Sequence, residues 1–197
     1  VPHQNTTLEG QREFAFKNQV LQQVIYEGLL RRDRRAWHAD IASWLGRIDG
    51  VRSKEALGLA ALHFERAGDP AQAAHFYIGA AEDAASRYAN TAMLSFVERA
   101  LALAGPADDE VRWRAHLVRE RYLVRTTDQA AHAADLQALA ELAERLDDRD
   151  KRTMVAVRRA ATLRSAGDYA GAEAAARQGL ALVQPLERSA LAVTLYG

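Results

Sequence analysis

Residues 61–80 read Ala-Leu-His-Phe-Glu-Arg-Ala-Gly-Asp-Pro-Ala-Gln-Ala-Ala-His-Phe-Tyr-Ile-Gly-Ala, and the fold is decided there. Gly68 can enter the left-handed conformation that ends a helix, which other residues reach only at a steric cost. Asp69 then offers its carboxylate to the orphan N–H groups of a second helix. Pro70 suits that helix's first position, where no N–H is needed. The spacing predicts one helix over about 54–67, a tight reversal, and a second helix carrying Ala73, Phe76, Tyr77, Ala80 and Ala81. Ala166-Gly167-Asp168-Tyr169 repeats this punctuation.

Outward from this hairpin the composition points the same way. Of 197 residues 41 are alanine, 37 of them from residue 51 onward, and the prolines stand only at 2, 70, 106 and 185. Alanine is the strongest helix former and proline the strongest breaker, so long uninterrupted helices are predicted. Basic and acidic residues number 26 each. Zero net charge argues against a dedicated nucleic-acid or membrane-surface binder. The absence of cysteine excludes disulfides, thiolate zinc sites and cysteine nucleophiles. No apolar run approaches the ~20 residues of a membrane helix, and the first residues lack a signal-peptide pattern, so a cytoplasmic location is expected. Arginine supplies 23 of the 26 basic residues, a GC-rich coding signature that suggests a bacterial source. The chain starts at Val1, and Gly197 closes an apolar run (Leu191, Val193, Leu195, Tyr196) without a cap, so a fragment of a larger protein is expected.

Glu13-Phe14-Ala15-Phe16 suggests a short strand. Asn18 caps a helix with the stripe Val20, Leu21, Val24, Ile25, Gly28 and Leu29, expected to end at Arg31 and Arg32. Asp33 is expected to cap a second helix whose buried stripe is Trp37, Ile41, Trp44 and Leu45. Gly46 and Gly50 place a boundary near residue 50: 1–50 form one region and 51–197 another. In the latter, helices are predicted around Ala92–Leu101, from Asp108 to about 125, and from Thr127 to about 146. Asp147–Asp150 reads as a loop, and Gln184-Pro185 opens a final helix.

The two Gly-Asp turns resemble the tetratricopeptide repeat. Ala61, Phe64, Ala73, Tyr77 and Ala80 around the first turn, and Ala160, Leu163, Ala172 and Ala176 around the second, fall where that repeat needs small and bulky residues for close helix approach. The expected fold is all-α: helical hairpins stacked as a right-handed tetratricopeptide-like solenoid. The stretch Phe14–Leu30, with Phe-Lys leading into Tyr26-Glu27-Gly28-Leu29-Leu30 and then Arg34-Arg35-Ala36-Trp37-His38, resembles one segment of the STAND-type bacterial signalling ATPases. These include regulators fused to adenylate or guanylate cyclase domains and those of the MalT/LuxR kind. The resemblance implies that residues 1–50 are the remnant of a winged-helix region behind an ATPase, followed by repeats. The family's His after Phe-Lys is Asn18 here, whereas His38 matches its family position, with a role in packing the second helix onto the first.

Catalytic patterns are missing from the sequence: there is no phosphate-binding Gly-x-x-x-x-Gly-Lys-Ser/Thr loop, no His-Glu-x-x-His and no Gly-x-Ser-x-Gly. His63, Glu65 and His75 across the first hairpin could converge on a metal, but polar edges of a packed face account for them better. The Arg31–Arg35 run reads as charges exchanged around Asp33 rather than a DNA reader. No enzyme activity, cofactor or metal is expected of these residues. The expected role is a non-catalytic protein-interaction and regulatory module of a signalling or transcription-regulating ATPase. The alternatives are a metabolite-sensing helical domain or an accessory domain of a nucleotide cyclase or kinase. Expected partners are a protein, a peptide or another domain of the parent, with neither membrane nor nucleic acid. At 100° per residue Arg114, Arg121 and Arg125 project within about 40° of one another, and this stripe is the candidate surface for an acidic partner. Beside it, Val111, Val118 and Tyr122 are expected to form one apolar side, and Trp113, Leu117 and Val124 another.

Overall fold

The computed structural model describes residues 16–47 and 53–183, the side chains of 53–55 excepted. Among them are nine helices and no strand: α1 (Gln19–Gly28), α2 (Arg31–Leu45), α3 (Ser53–Ala67), α4 (Pro70–Ser86), α5 (Asn90–Leu103), α6 (Asp109–Leu123), α7 (Gln129–Arg145), α8 (Arg149–Ser165) and α9 (Tyr169–Leu182). The fold is all-α. Two compact units divide within α4, between Ala80 and Ala81. The boundary expected near residue 50, the expected strand residues 13–15 and the helix expected from Gln184 lie outside the described residues.

Four turns share one geometry. At Gly68, Tyr88, Asp147 and Gly167 the backbone takes a positive φ of 84°, 59°, 47° and 82°. In each, this residue's N–H returns to the carbonyl three residues back, and the next N–H to the carbonyl five back: Asp69 to Phe64 at 3.0 Å, Ala89 to Ala84 at 2.9 Å, Asp148 to Ala143 at 3.3 Å and Asp168 to Leu163 at 2.9 Å. These paired bonds close the helix end in a Schellman motif. Asp69, Asp148 and Asp168 then cap the following helix, accepting from Gln72, Lys151 and Gly171 N–H groups at 3.0, 3.0 and 2.9 Å. The loop expected over Asp147–Asp150 is therefore a three-residue connection, Leu146 to Asp148, and Arg149 and Asp150 already belong to α8.

In the first unit α2 packs on α3. Leu45, Ala56 and Ala60 form a buried cluster, with Phe76 of α4 against it. Phe64 and Phe76 stack at 5.0 Å between centroids, and the Tyr77 hydroxyl donates to Glu65 at 3.1 Å. Ala61, Ala73, Tyr77 and Ala80 are buried, and Phe64 is half-buried.

Two expectations for this unit fail. Arg31 and Arg32 open α2 rather than closing α1, because α1 stops at Gly28 and Leu29–Leu30 leave helical geometry. Asp33 thus sits inside the first turn of α2, where its charge still favours the helix dipole. Trp37, Ile41 and Trp44 are exposed, at 55%, 39% and 39%. Leu45 is buried as expected, but its companions on the inward face are His38 and Ala42, each one position past Trp37 and Ile41. Nothing on α1 is buried.

In the second unit each helix packs on the next: α5 on α6, α6 on α7, α7 on α8 and α8 on α9. Trp113, Leu139, Leu142, Ala143 and Val155 form the main cluster. Each large side chain so enclosed is worth about 1.5–3 kcal/mol relative to exposure. Ala160, Ala175 and Ala176 pack with Leu163 between α8 and α9, while Ala172 is half-exposed. A Cβ on Gly179 would stand 3.3 Å from that of Ala156, so these two helices approach as closely as small residues allow.

Candidate binding groove

α6 gathers the charged side chains of the second unit. Five of its residues are buried, four of them apolar (Trp113, Ala115, Val118, Leu123) and one acidic, Glu120. The aromatic surface of Trp113 also carries the Lys151 ammonium, 5.6 Å above its ring. Val111, Leu117 and Tyr122 are half-buried. Val124, expected on an apolar side, is 54% exposed because it lies past the last helical residue, at the C-cap.

Two buried carboxylates lock α6 to its neighbours in reciprocal fashion. Asp135 of α7, fully enclosed, accepts both Nε and Nη2 of Arg119 at 2.8 and 2.5 Å and faces His116 Nδ1 at 2.8 Å. Burial by itself pushes the Asp135 carboxyl up, and the hydrogen bonds from Arg119 and His116 more than reverse this, holding it below the usual carboxylate range. Glu120 of α6 in turn meets His132 Nε2 of α7 at 3.1 Å and accepts Nη1 of Arg158 from α8. Each helix thus supplies one carboxylate and receives cationic or imidazole donors from the other.

The candidate arginine stripe runs beside this network. Arg114 holds Glu82 with both prongs of its fork, at 2.8 and 2.7 Å. Among the described residues Arg121 and Arg125 have no ion-pair partner. Both are exposed and line a cleft of about 240 Å³ with Asn90, Met93, Val118 and Tyr122. Glu82 also lines this cleft, whereas Arg114 does not and is tied to it only through its pair with Glu82. Most other arginines of the unit are engaged: Arg112 caps the carbonyls of Ala104 and Gly105, Arg145 pairs with Asp109, Arg152 with Glu144 and Asp147, and Arg177 with Glu173. The C-terminal end of a helix favours cations, which places Arg121 and Arg125 comfortably there without a counter-charge.

On the other side of the same helical turn lies a cavity of about 470 Å³, bordered by Glu120, Leu123, His132, Arg158, Ala161 and Thr162 among others. Sequence reasoning missed this region. Its signal was present in the pairs His116/Glu120 and His132/Asp135, polar residues spaced to share the inward face of a helix.

In the first unit His38 links three helices. Its Nε2 meets the Tyr26 hydroxyl of α1 at 2.8 Å and its Nδ1 meets Nδ1 of His63 at 2.8 Å. Burial first, then Arg66 and Arg34, push the His38 imidazole below its ordinary value, and burial does the same at His63, helped by His38 and Arg66. His63 converges on His38 rather than on His75, which is exposed. Among the described residues no three side chains are grouped to hold a metal. No described helix is long and apolar enough to cross a membrane.

No protein-family model and no solved structure matches the chain. It is similar to an uncharacterized protein of Rhizobium meliloti (strain 1021), 30% identical over 96 residues, which are 49% of this chain and 9% of that protein. The chain spans under a tenth of that relative's length.

Proposed function

We propose that this chain is a non-catalytic interaction and regulatory module, and that the cleft beside the last turn of α6 receives an acidic segment of a partner protein or of another domain of the same parent. The observation that carries this reading is the pair Arg121 and Arg125, exposed beside a small cleft in a unit that neutralises most of its other arginines. At about 240 Å³ the cleft is smaller than the ~300–1,000 Å³ of small-molecule pockets, which favours side chains of a peptide over a whole metabolite. In this reading the four like turns join degenerate tetratricopeptide-like hairpins stacked as a right-handed solenoid. Residues 1–50 close a winged-helix region, and the parent is a cytoplasmic bacterial STAND-type signalling ATPase. The motif around Tyr26-Glu27-Gly28-Leu29-Leu30, the neighbour-on-neighbour packing of α5–α9 and the much greater length of the Rhizobium relative support these steps.

The test is fluorescence anisotropy with a labelled glutamate-rich peptide of about ten residues. Binding should weaken as salt rises, because the Debye length shrinks from ~10 Å at 0.1 M to ~3 Å at 1 M. The double variant Arg121→Gln/Arg125→Gln should weaken it at least about tenfold, the loss of roughly one charge-assisted contact. Arg114 is left in place because it belongs to the Glu82 pair. Equal affinity of the double variant and the parent would remove the groove from the account.

A further inference from the structure

The cavity between α6, α7 and α8 has a separate chemistry. Glu120, 2% exposed, and His132 form part of its wall, and Arg158 joins them from α8. Arg158 uses Nη1 for Glu120, while its Nε is shut from solvent and has no hydrogen-bond partner. An enclosed donor without an acceptor is costly, of the order of the full desolvation of an N–H group. The contrast with the unit's other arginines is informative. Arg114, Arg119 and Arg145 each present Nε together with Nη2 to a carboxylate, the side-on fork that matches two carboxylate oxygens. Arg152 also leaves Nε without an acceptor, but both its terminal nitrogens are committed, to Glu144 and Asp147. Arg158 has one terminal nitrogen uncommitted, and its side chain borders the cavity.

The rest of the wall is suited to a small organic body. Leu123, Ala133 and Ala161 supply apolar surface, and Gln129, Thr162 and Ser165 supply polar groups. At about 470 Å³ the volume falls within the ~300–1,000 Å³ typical of small-molecule sites. The geometry points to this cavity as a binding site for a small organic carboxylate, held by the terminal nitrogen of Arg158 that Glu120 leaves free, with its apolar body against Leu123, Ala133 and Ala161. Glu120, itself bonded to His132, accepts Arg158 Nη1 and so orients the guanidinium. This site is distinct from the Arg121/Arg125 cleft and does not depend on it.

4-Phenylbutyrate and its uncharged amide are the probes, titrated into the full chain with isotope-labelled alanine methyls observed by NMR. The acid should give saturable shifts at the Ala133 and Ala161 methyls, and the amide should bind at least about tenfold more weakly, one charge-assisted hydrogen bond's worth. Ala161→Leu adds bulk at an exposed wall position without touching the charge network, so it should abolish acid binding with melting unchanged. Arg158→Gln should abolish it too; should that variant fold poorly, Ala161→Leu still decides the matter. Arg121→Gln/Arg125→Gln should leave phenylbutyrate binding intact, so the two sites fail separately. Absence of acid binding, equal binding of acid and amide, or unaltered acid binding in Ala161→Leu would overturn the assignment.

Discussion

Replacing Asp135 by Ala is the sharpest test of how the second unit is held together. The carboxylate is fully enclosed, accepts two hydrogen bonds from Arg119 and pairs with His116. Its removal leaves a guanidinium and an imidazole facing an apolar methyl. Breaking a buried ion pair from one side costs about 3–5 kcal/mol. Arg119 and His116 keep 28% and 16% of their side-chain surface open to solvent and recover part of their hydration, so the expected loss is about 2–4 kcal/mol. With a urea m-value of about 2 kcal/mol/M, the unfolding midpoint should fall by roughly 1–2 M. The exposed pair Arg177–Glu173, with 71% and 51% of its side-chain surfaces open, is the control: Glu173→Ala should change stability by under ~0.5 kcal/mol. The acid limb gives a second readout. Because the Asp135 carboxyl lies below its unfolded value of about 3.9, its contribution is complete above that pH and is lost as pH falls through the depressed value. Asp135→Ala should therefore flatten the stability profile below about pH 4. A midpoint for Asp135→Ala within about 0.3 M of the parent would refute the claim that this network holds α6 to α7.

Three further outcomes follow from particular contacts. His38 and His63 are held below their ordinary value, so the unfolded chain binds more protons than the folded one below about pH 6.5. Melting of the first unit should thus be constant above that pH and fall beneath it, and His38→Gln should reduce the slope; a flat profile in the parent would remove the His pair from the ledger. Ala73→Leu, at a fully buried position, should overpack the α3–α4 contact and cost about 1–3 kcal/mol, whereas Ala71→Leu on the exposed face should be near neutral; equal melting temperatures would contradict the packing described. Gly167→Ala should cost about 1–2 kcal/mol from its φ of 82° alone, since an added Cβ meets nothing within 4 Å, while Tyr88→Gly should raise the melting temperature by relieving a non-glycine residue at 59°. A Tyr88→Gly variant less stable than the parent would show that the Tyr88 ring contributes more than its backbone costs.

The hairpin at Ala67-Gly68-Asp69-Pro70 was readable because every determinant is local: a left-handed glycine, a capping carboxylate and a proline at the first helical position. Its counterpart at Gly167-Asp168 was readable for the same reason. The like turns at Tyr88 and Asp147 were not, because no glycine marks them: the positive φ falls on a tyrosine and an aspartate. On α2 the apolar stripe misled. Trp37, Ile41 and Trp44 have helical spacing with Leu45, but of these only Leu45 is buried, and the face that packs inward with it carries His38 and the small Ala42. At the groove, helical spacing placed Arg114, Arg121 and Arg125 on one stripe, but only Arg121 and Arg125 line the cleft, and no local pattern could reveal that Glu82, 32 residues before Arg114, takes the third. The Glu120 and Asp135 networks were hidden for a related reason: the cost of burying an acid is met by partners on other helices, as when Arg158 reaches Glu120 from 38 residues away.

The most direct measurement on the central claim is an NMR titration of the isotope-labelled chain with the glutamate-rich peptide at low salt. The account predicts that backbone amides of Asn90, Met93, Val118, Arg121, Tyr122 and Arg125 shift together along one saturable curve, with α1 and α2 unmoved. Shifts centred on the exposed tryptophans of α2, or scattered over the charged surface without saturation, would contradict it.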